Sequence, residues 1–276
     1  MHELVHTWAG MGAEGGFQTV RRSPGLSDAA AEALIDRSGM VVSDPPARPI
    51  LAFRMLPLDG TPTAVLTRIV QTPGPTPARP CRLAHHLVLN AHERPECGPA
   101  ALLTGGWLPD VWQDDWEATA VPEHVAATPP GELDPAWSEF VLRRAEGAAC
   151  TTLITPEGTA PEACLAAMFA SFPAEDRWRV TFLCNGFQLP DAALLRLVSD
   201  GSVAAARLAH AGEGLTVHLT EEPPRPEPIT PPRREQPDIP LRLEAREGPP
   251  ILVLVLAVLT LIALAVAAWT LGVFGP

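Results

Sequence analysis

A chain of 276 residues with 32 acidic against 20 basic side chains carries a formal charge of −12, which phosphate backbones repel. Nucleic acid is therefore not expected as a partner. Every basic residue is arginine, and the missing lysine excludes a P-loop, a Schiff-base enzyme and a protein kinase, all of which need that amine.

In chain order, Glu3–Ala9, Phe17–Arg22, Leu51–Leu58, Ala64–Thr72 and Arg82–Asn90 read as short strands between glycine and proline punctuation. The first contains His2-Glu3-Leu4-Val5-His6, the pattern of a zinc-protease helix with two candidate ligands and a candidate base. That chemistry needs the pentapeptide on a helix with a third ligand, and Glu32 is the only nearby choice. Val5, Thr7 and Trp8 favour a strand, which points neighbours to opposite sides. No metal is expected there.

Ser27 is placed to cap a helix running through Arg37 and closed by Gly39. Cys81, His85, His86, His92 and Cys97 form the densest ligand-capable stretch, but their spacing fits no zinc ribbon or finger. On a strand His85 shares a face with Leu83 and Leu87, and His86 shares the other with Ala84 and Val88, so one ion cannot take both. A hydrogen-bonded core histidine beside a polar neighbour is the expectation.

Pro99–Leu103 reads as a short helix. Trp107, Trp112 and Trp116 stand among acidic residues and fit either a protein contact surface or core packing. Val121–Pro135 holds four prolines and marks a sub-boundary near 121–135. Beyond it, Ala136–Ala145 and Pro161–Phe172 read as helices, and Thr151–Ile154, Arg179–Cys184, Val203–Ala209 and Leu215–Thr220 as strands. Cys184-Asn185-Gly186 would present either a nucleophile at a turn or a plain turn, and no histidine is tied to it by sequence. Five cysteines, odd in number and without close pairs, suit a reducing compartment.

Residues 1–220 thus read as one α+β domain, a mixed sheet with a few short helices. Residues 221–250 include ten prolines and almost no large apolar side chain, the composition of a disordered stalk. From Ile251 to Phe274 nothing is charged and fifteen residues are Leu, Ile, Val or Phe. Such a run spans roughly 36 Å as a helix, enough to cross a bilayer core of about 30 Å. Arg225, Arg233, Arg234, Arg242 and Arg246 all precede it, which puts the domain on the cytoplasmic side of the inner membrane, held by a single pass.

Three strings read together, Gly16-Phe17-Gln18-Thr19-Val20-Arg21-Arg22-Ser23-Pro24-Gly25-Leu26, Arg82-Leu83-Ala84-His85-His86-Leu87-Val88-Leu89 and Trp178-Arg179-Val180-Thr181-Phe182, resemble the N-terminal domain of bacterial GTPase-associated proteins. The resemblance covers residues 1–185, and to 220 at its widest. It implies an accessory protein of a GTPase-centred conflict system, with a separately encoded GTPase as partner. It brings no active site and no cofactor. The expected function is a membrane-tethered adaptor or scaffold, more an interaction protein than an enzyme. The alternative is a membrane-anchored hydrolase using Cys184 or the His85/His86 region.

Overall fold

The computed structural model describes residues 1–9, 16–38, 48–76, 79–113, 120–122, 125, 133–186, 193–211 and 214–224, the side chains at 9, 73–76, 79, 80, 209 and 211 excepted. By internal contacts the chain divides into two units, Met1–Glu227 and Pro228–Pro276. The second unit, with the span expected over Ile251–Phe274 and the stalk from 225 onward, lies outside the described residues. Among the described residues no helix is long and apolar enough to cross a membrane.

Five strands lead the chain: β1 (His2–Ala9), β2 (Gly16–Arg22), β3 (Ile50–Leu58), β4 (Thr61–Thr76) and β5 (Arg79–Leu89). All pair antiparallel, in the spatial order β2-β1-β5-β4-β3. The β3–β4 turn is only Asp59-Gly60, with φ of +50° and +77°. Two residues in the left-handed region match the twist of the flanking strands, and glycine takes that conformation without a Cβ clash. Between β1 and β2 the register slips: Val5 faces Arg21 but His6 faces Thr19, so Val20 is an extra, bulged residue. Helix α1 (Asp28–Ser38) follows β2, capped as expected by Ser27, whose hydroxyl accepts from the Ala30 N–H at 3.1 Å. Helix α2 (Gly98–Thr104) follows β5.

The later part alternates helix and strand: α3 (Pro135–Glu146), β6 (Thr151–Thr155), α4 (Pro161–Ser171), β7 (Phe182–Cys184), β8 (Leu195–Ser199), α5 (Val203–Ala211) and β9 (Leu215–His218). Its four strands are parallel and extend the same sheet in the order β7-β8-β6-β9, giving nine strands among the described residues. Asp134 caps α3 by accepting from the Ala136 N–H, and Pro135 follows at the first helical position. Proline also opens α4.

Two expectations are corrected here. Residues 203–211 form a helix, not a strand: Ser202 accepts from the Ala205 N–H at 3.0 Å, and an alanine-rich run then propagates the turn. Strand β8 was not foreseen at all, and only the last three residues of Arg179–Cys184 are extended. The mixed sheet with a few helices is the α+β class expected.

The halves meet along three residue pairs between β3 and β7, Leu51 with Cys184, Ala52 with Leu183 and Phe53 with Phe182. Phe182 sets its ring 6.1 Å from Phe53 and 5.1 Å from Phe169 of α4. Each such aromatic pair contributes about 0.5–1.5 kcal/mol beyond its buried area. Helices α2, α3 and α4 join Leu51, Phe53, Leu66 and Leu197 in the main apolar cluster on one sheet face. Helix α1 closes over Leu4, Val65 and Val88 on the other, and α5 over Ile154 and Val198.

Candidate functional site

Strand β1 divides the zinc-protease-like pentapeptide between two faces. Leu4 lies opposite His86 and Val5 opposite His85, so Glu3 shares a face with His85 while His2 and His6 share the other. His6 places Nδ1 3.2 Å from the Thr19 hydroxyl and stacks on Phe17, and burial lowers its pKa. The His2 ring lies against Gly25, so closely that a Cβ there would approach it to 2.5 Å. Among the described residues no group of three or more His, Cys, Asp or Glu side chains could hold a metal.

His85 lies with Nε2 2.6 Å from Glu3 Oε1, both side chains being only 2–3% exposed. Its direct neighbours across the sheet are Val5 and Arg68. Arg68 donates to the Pro109 carbonyl at 3.1 Å and pairs with Asp110. Trp112 packs against Val5, Val70 and Leu83, with the Arg21 guanidinium 5.8 Å from its ring centre. Residues on both flanks of His85 therefore hold the 109–112 strap across this face.

His86, directly beside it in sequence, opens onto the opposite face and is fully buried. Its Nε2 lies 2.8 Å from the Ser38 hydroxyl at the end of α1, and its Nδ1 2.9 Å from the Thr67 hydroxyl on β4. Ser38 donates its own proton to the Leu34 carbonyl at 3.2 Å. One assignment of protons satisfies all three groups: Nε2–H donates to Ser38, and Thr67 donates to Nδ1.

A serine, a histidine and a third polar side chain in this order resemble a hydrolase triad in distance. Their electrostatics do not suit that task. Burial, followed by the neighbouring charges of His85 and Arg54, lowers the His86 pKa to about 3. A base that weak takes little of a hydroxyl proton near neutral pH. Thr67 offers no negative charge to stabilise an imidazolium, and the Ser38 proton points along its helix. The trio instead ties the end of α1 to the sheet.

Cys184 sits at 0% exposure in the main core, and burial pushes its thiol well above the ordinary range. A thiol so placed is neutral and inert. Asn185 takes φ +60° and donates to the Pro49 carbonyl (3.0 Å) and to Glu162 (3.1 Å), which also pairs with Arg48. The turn after β7 is thereby fastened to β3 and α4, and Cys184 and the two histidines occupy three separate places. Trp107 is partly buried against the main core and donates to the Leu102 carbonyl at 2.6 Å. Trp112 packs in the strap, and Trp116 lies outside the described residues. Glu3 is marked by sequence only as the candidate base of the zinc-protease-like pattern, and its contact with His85 becomes visible once β1 is paired with β5. No local pattern marks Ser38.

These buried pairs join β1, β4, β5 and α1, a segment that can be compared with known families as one piece. Residues 1–128 match the family model for GTPase-associated protein 1, N-terminal domain type 2. Over these residues the chain is similar to that family. The domain takes in β1–β5, α1, α2 and both buried histidines, and ends in the proline-bearing connection before α3. Two of the three strings that carry the resemblance lie within it, and the third, Trp178–Phe182, lies beyond. Comparison with curated proteins and with solved structures gave no match.

Proposed function

We propose that this chain is an adaptor whose GTPase-associated domain binds a separately encoded GTPase, while residues 251–274 hold it to the cytoplasmic face of the inner membrane. The match of residues 1–128 to the GTPase-associated family model carries this reading. The sealed condition of the candidate chemistry supports it: Cys184, His85 and His86 are each at most 2% exposed. Residues 221–250 act as a proline-rich stalk, which raises the effective concentration of the domain near the membrane. A defence or conflict pathway is the setting this arrangement suits.

Full-length protein used as bait in its native cell is expected to recover a GTPase. Removing residues 249–276 should move the chain from the membrane pellet to the soluble fraction, and protease added outside spheroplasts should leave the domain intact. Recovery of no GTPase, together with an ester or peptide turnover that disappears in Cys184→Ala or His85→Ala, would replace the adaptor with the hydrolase.

A further inference from the structure

The chain has two asparagines, Asn90 and Asn185, and only the second is followed by glycine. Asn185 comes directly after β7, at the seam between the two halves of the sheet, half-buried and with φ +60°. Glycine takes that φ with less strain, and aspartate tolerates it too. Neither could do what the carboxamide does there. Its Nδ2 donates to the Pro49 carbonyl, just before β3, and to Glu162 Oε2 in the first turn of α4. Glycine has no such donor, and aspartate puts an acceptor in its place. The next position is equally constrained. Gly186 is buried, and a Cβ there would lie 3.0 Å from the Leu183 side chain and 3.3 Å from that of Ile50. Packing and hydrogen bonding thus retain an Asn-Gly pair, in which no Cβ shields the second amide nitrogen from the asparagine side chain.

We propose that Asn185 is a site of spontaneous deamidation, gated by opening of the turn after β7, and that the reaction unfastens this turn permanently. The Gly186 nitrogen, once hydroxide has taken its proton, forms a bond to Asn185 Cγ. The Cγ–Nδ2 bond breaks, ammonia leaves with a proton from water, and a cyclic succinimide remains. Water then opens the ring to aspartate or isoaspartate, so one water is consumed and one ammonia released. Turning Cγ onto the Gly186 nitrogen swings Nδ2 away from Pro49 and Glu162, and the closed turn therefore delays the first step. The backbone holds the same closed state, since the Asn185 N–H donates to the Leu197 carbonyl at 2.9 Å. The product cannot return to it. A carboxylate at 185 meets the Pro49 carbonyl and the Glu162 carboxylate, both acceptors, while Arg48 is already engaged by Glu162 at 3.0 Å. The inference does not depend on the adaptor reading.

The test follows the full-length chain in detergent micelles, aged at mildly alkaline pH, by peptide mapping and by enzymatic labelling of isoaspartate. Conversion is expected at Asn185 well ahead of Asn90. In the native chain it should run on the order of tenfold slower than in the urea-unfolded chain, because the turn must open first. The aged fraction, separated by its added negative charge, and the variant Asn185→Asp are then compared with fresh protein by hydrogen exchange. Both should exchange faster at the amides of β7 and Asn185, with β1 and β5 unchanged as the internal reference. The aged fraction needs no refolding, so the outcome does not hinge on how well the variant folds. The proposal is overturned if Asn185 converts no faster than Asn90 in the unfolded chain, or if the native chain does not convert at all. Equal rates in the native and unfolded chains would also overturn it, as would an aged fraction that exchanges like fresh protein.

Discussion

The two halves of the sheet are built from one core but by different rules. In the antiparallel half, neighbours in space are mostly close along the chain, and long strands carry their own pattern. In the parallel half the strands are three to five residues long, each neighbour is reached by a longer connection, and helices lie on both faces. The first half is locally specified. The second holds its shape through packing on α3, α4 and α5, and through the three residue pairs that join β7 to β3.

That contrast can be broken most severely at the junction. Phe182→Ala removes the ring that contacts both Phe53 and Phe169, and should cost about 3–5 kcal/mol in urea unfolding of the full chain. If the halves are one cooperative unit, fluorescence and circular dichroism should still report a single transition; separate midpoints would show that they unfold apart.

A smaller loss is expected inside the antiparallel half. His86→Gln keeps some hydrogen-bonding capacity but not the geometry, and should cost about 1–3 kcal/mol. It should also alter the pH profile. His86 is held to about 3 in the native state against 6.5 when unfolded. The unfolded chain therefore binds the extra proton between those values, and native stability present above 6.5 is lost as pH falls toward 3. The slope this residue adds is at most about 1.4 kcal/mol per pH unit, and the urea midpoint of His86→Gln should fall less steeply than that of wild type over that window.

Ser202→Ala probes the parallel half alone. Loss of the α5 cap should cost about 1 kcal/mol and speed hydrogen exchange in α5 before exchange in β1–β5 changes. The mildest probe leaves stability untouched. Cys184 should resist a thiol reagent until the fold opens, whereas half-buried Cys97 and Cys164, whose thiols burial raises less, should react sooner.

The same contrast decided what could be read from the sequence. The five antiparallel strands were found to within a few residues at most boundaries, because runs such as Leu51–Leu58 alternate or stay apolar between clear turn signals. The opposite orientations of His85 and His86 needed only the two-residue period of a strand. Their partners needed tertiary structure: Glu3 is 82 positions before His85, and Ser38 is 48 before His86. In the parallel half, β8 is only five residues long with Arg196 inside it, too short for a clear period, and α5 opens with a β-branched valine. A short segment there is settled by what covers it, and propensity alone sent Val203–Ala209 the wrong way.

The extra residue in β2 bears on how the protein behaves when concentrated. An outermost strand offers a row of unpaired amides and carbonyls on which another chain can grow, the first step toward fibrillar aggregation. Val20 interrupts that row by shifting Arg21 and Arg22 out of step with Phe17–Thr19. An incoming straight strand therefore cannot match both segments at once, and the opposite border, β9, is only four residues long. A nine-stranded sheet with exposed Phe17 at its margin is in this way kept from templating its own copies.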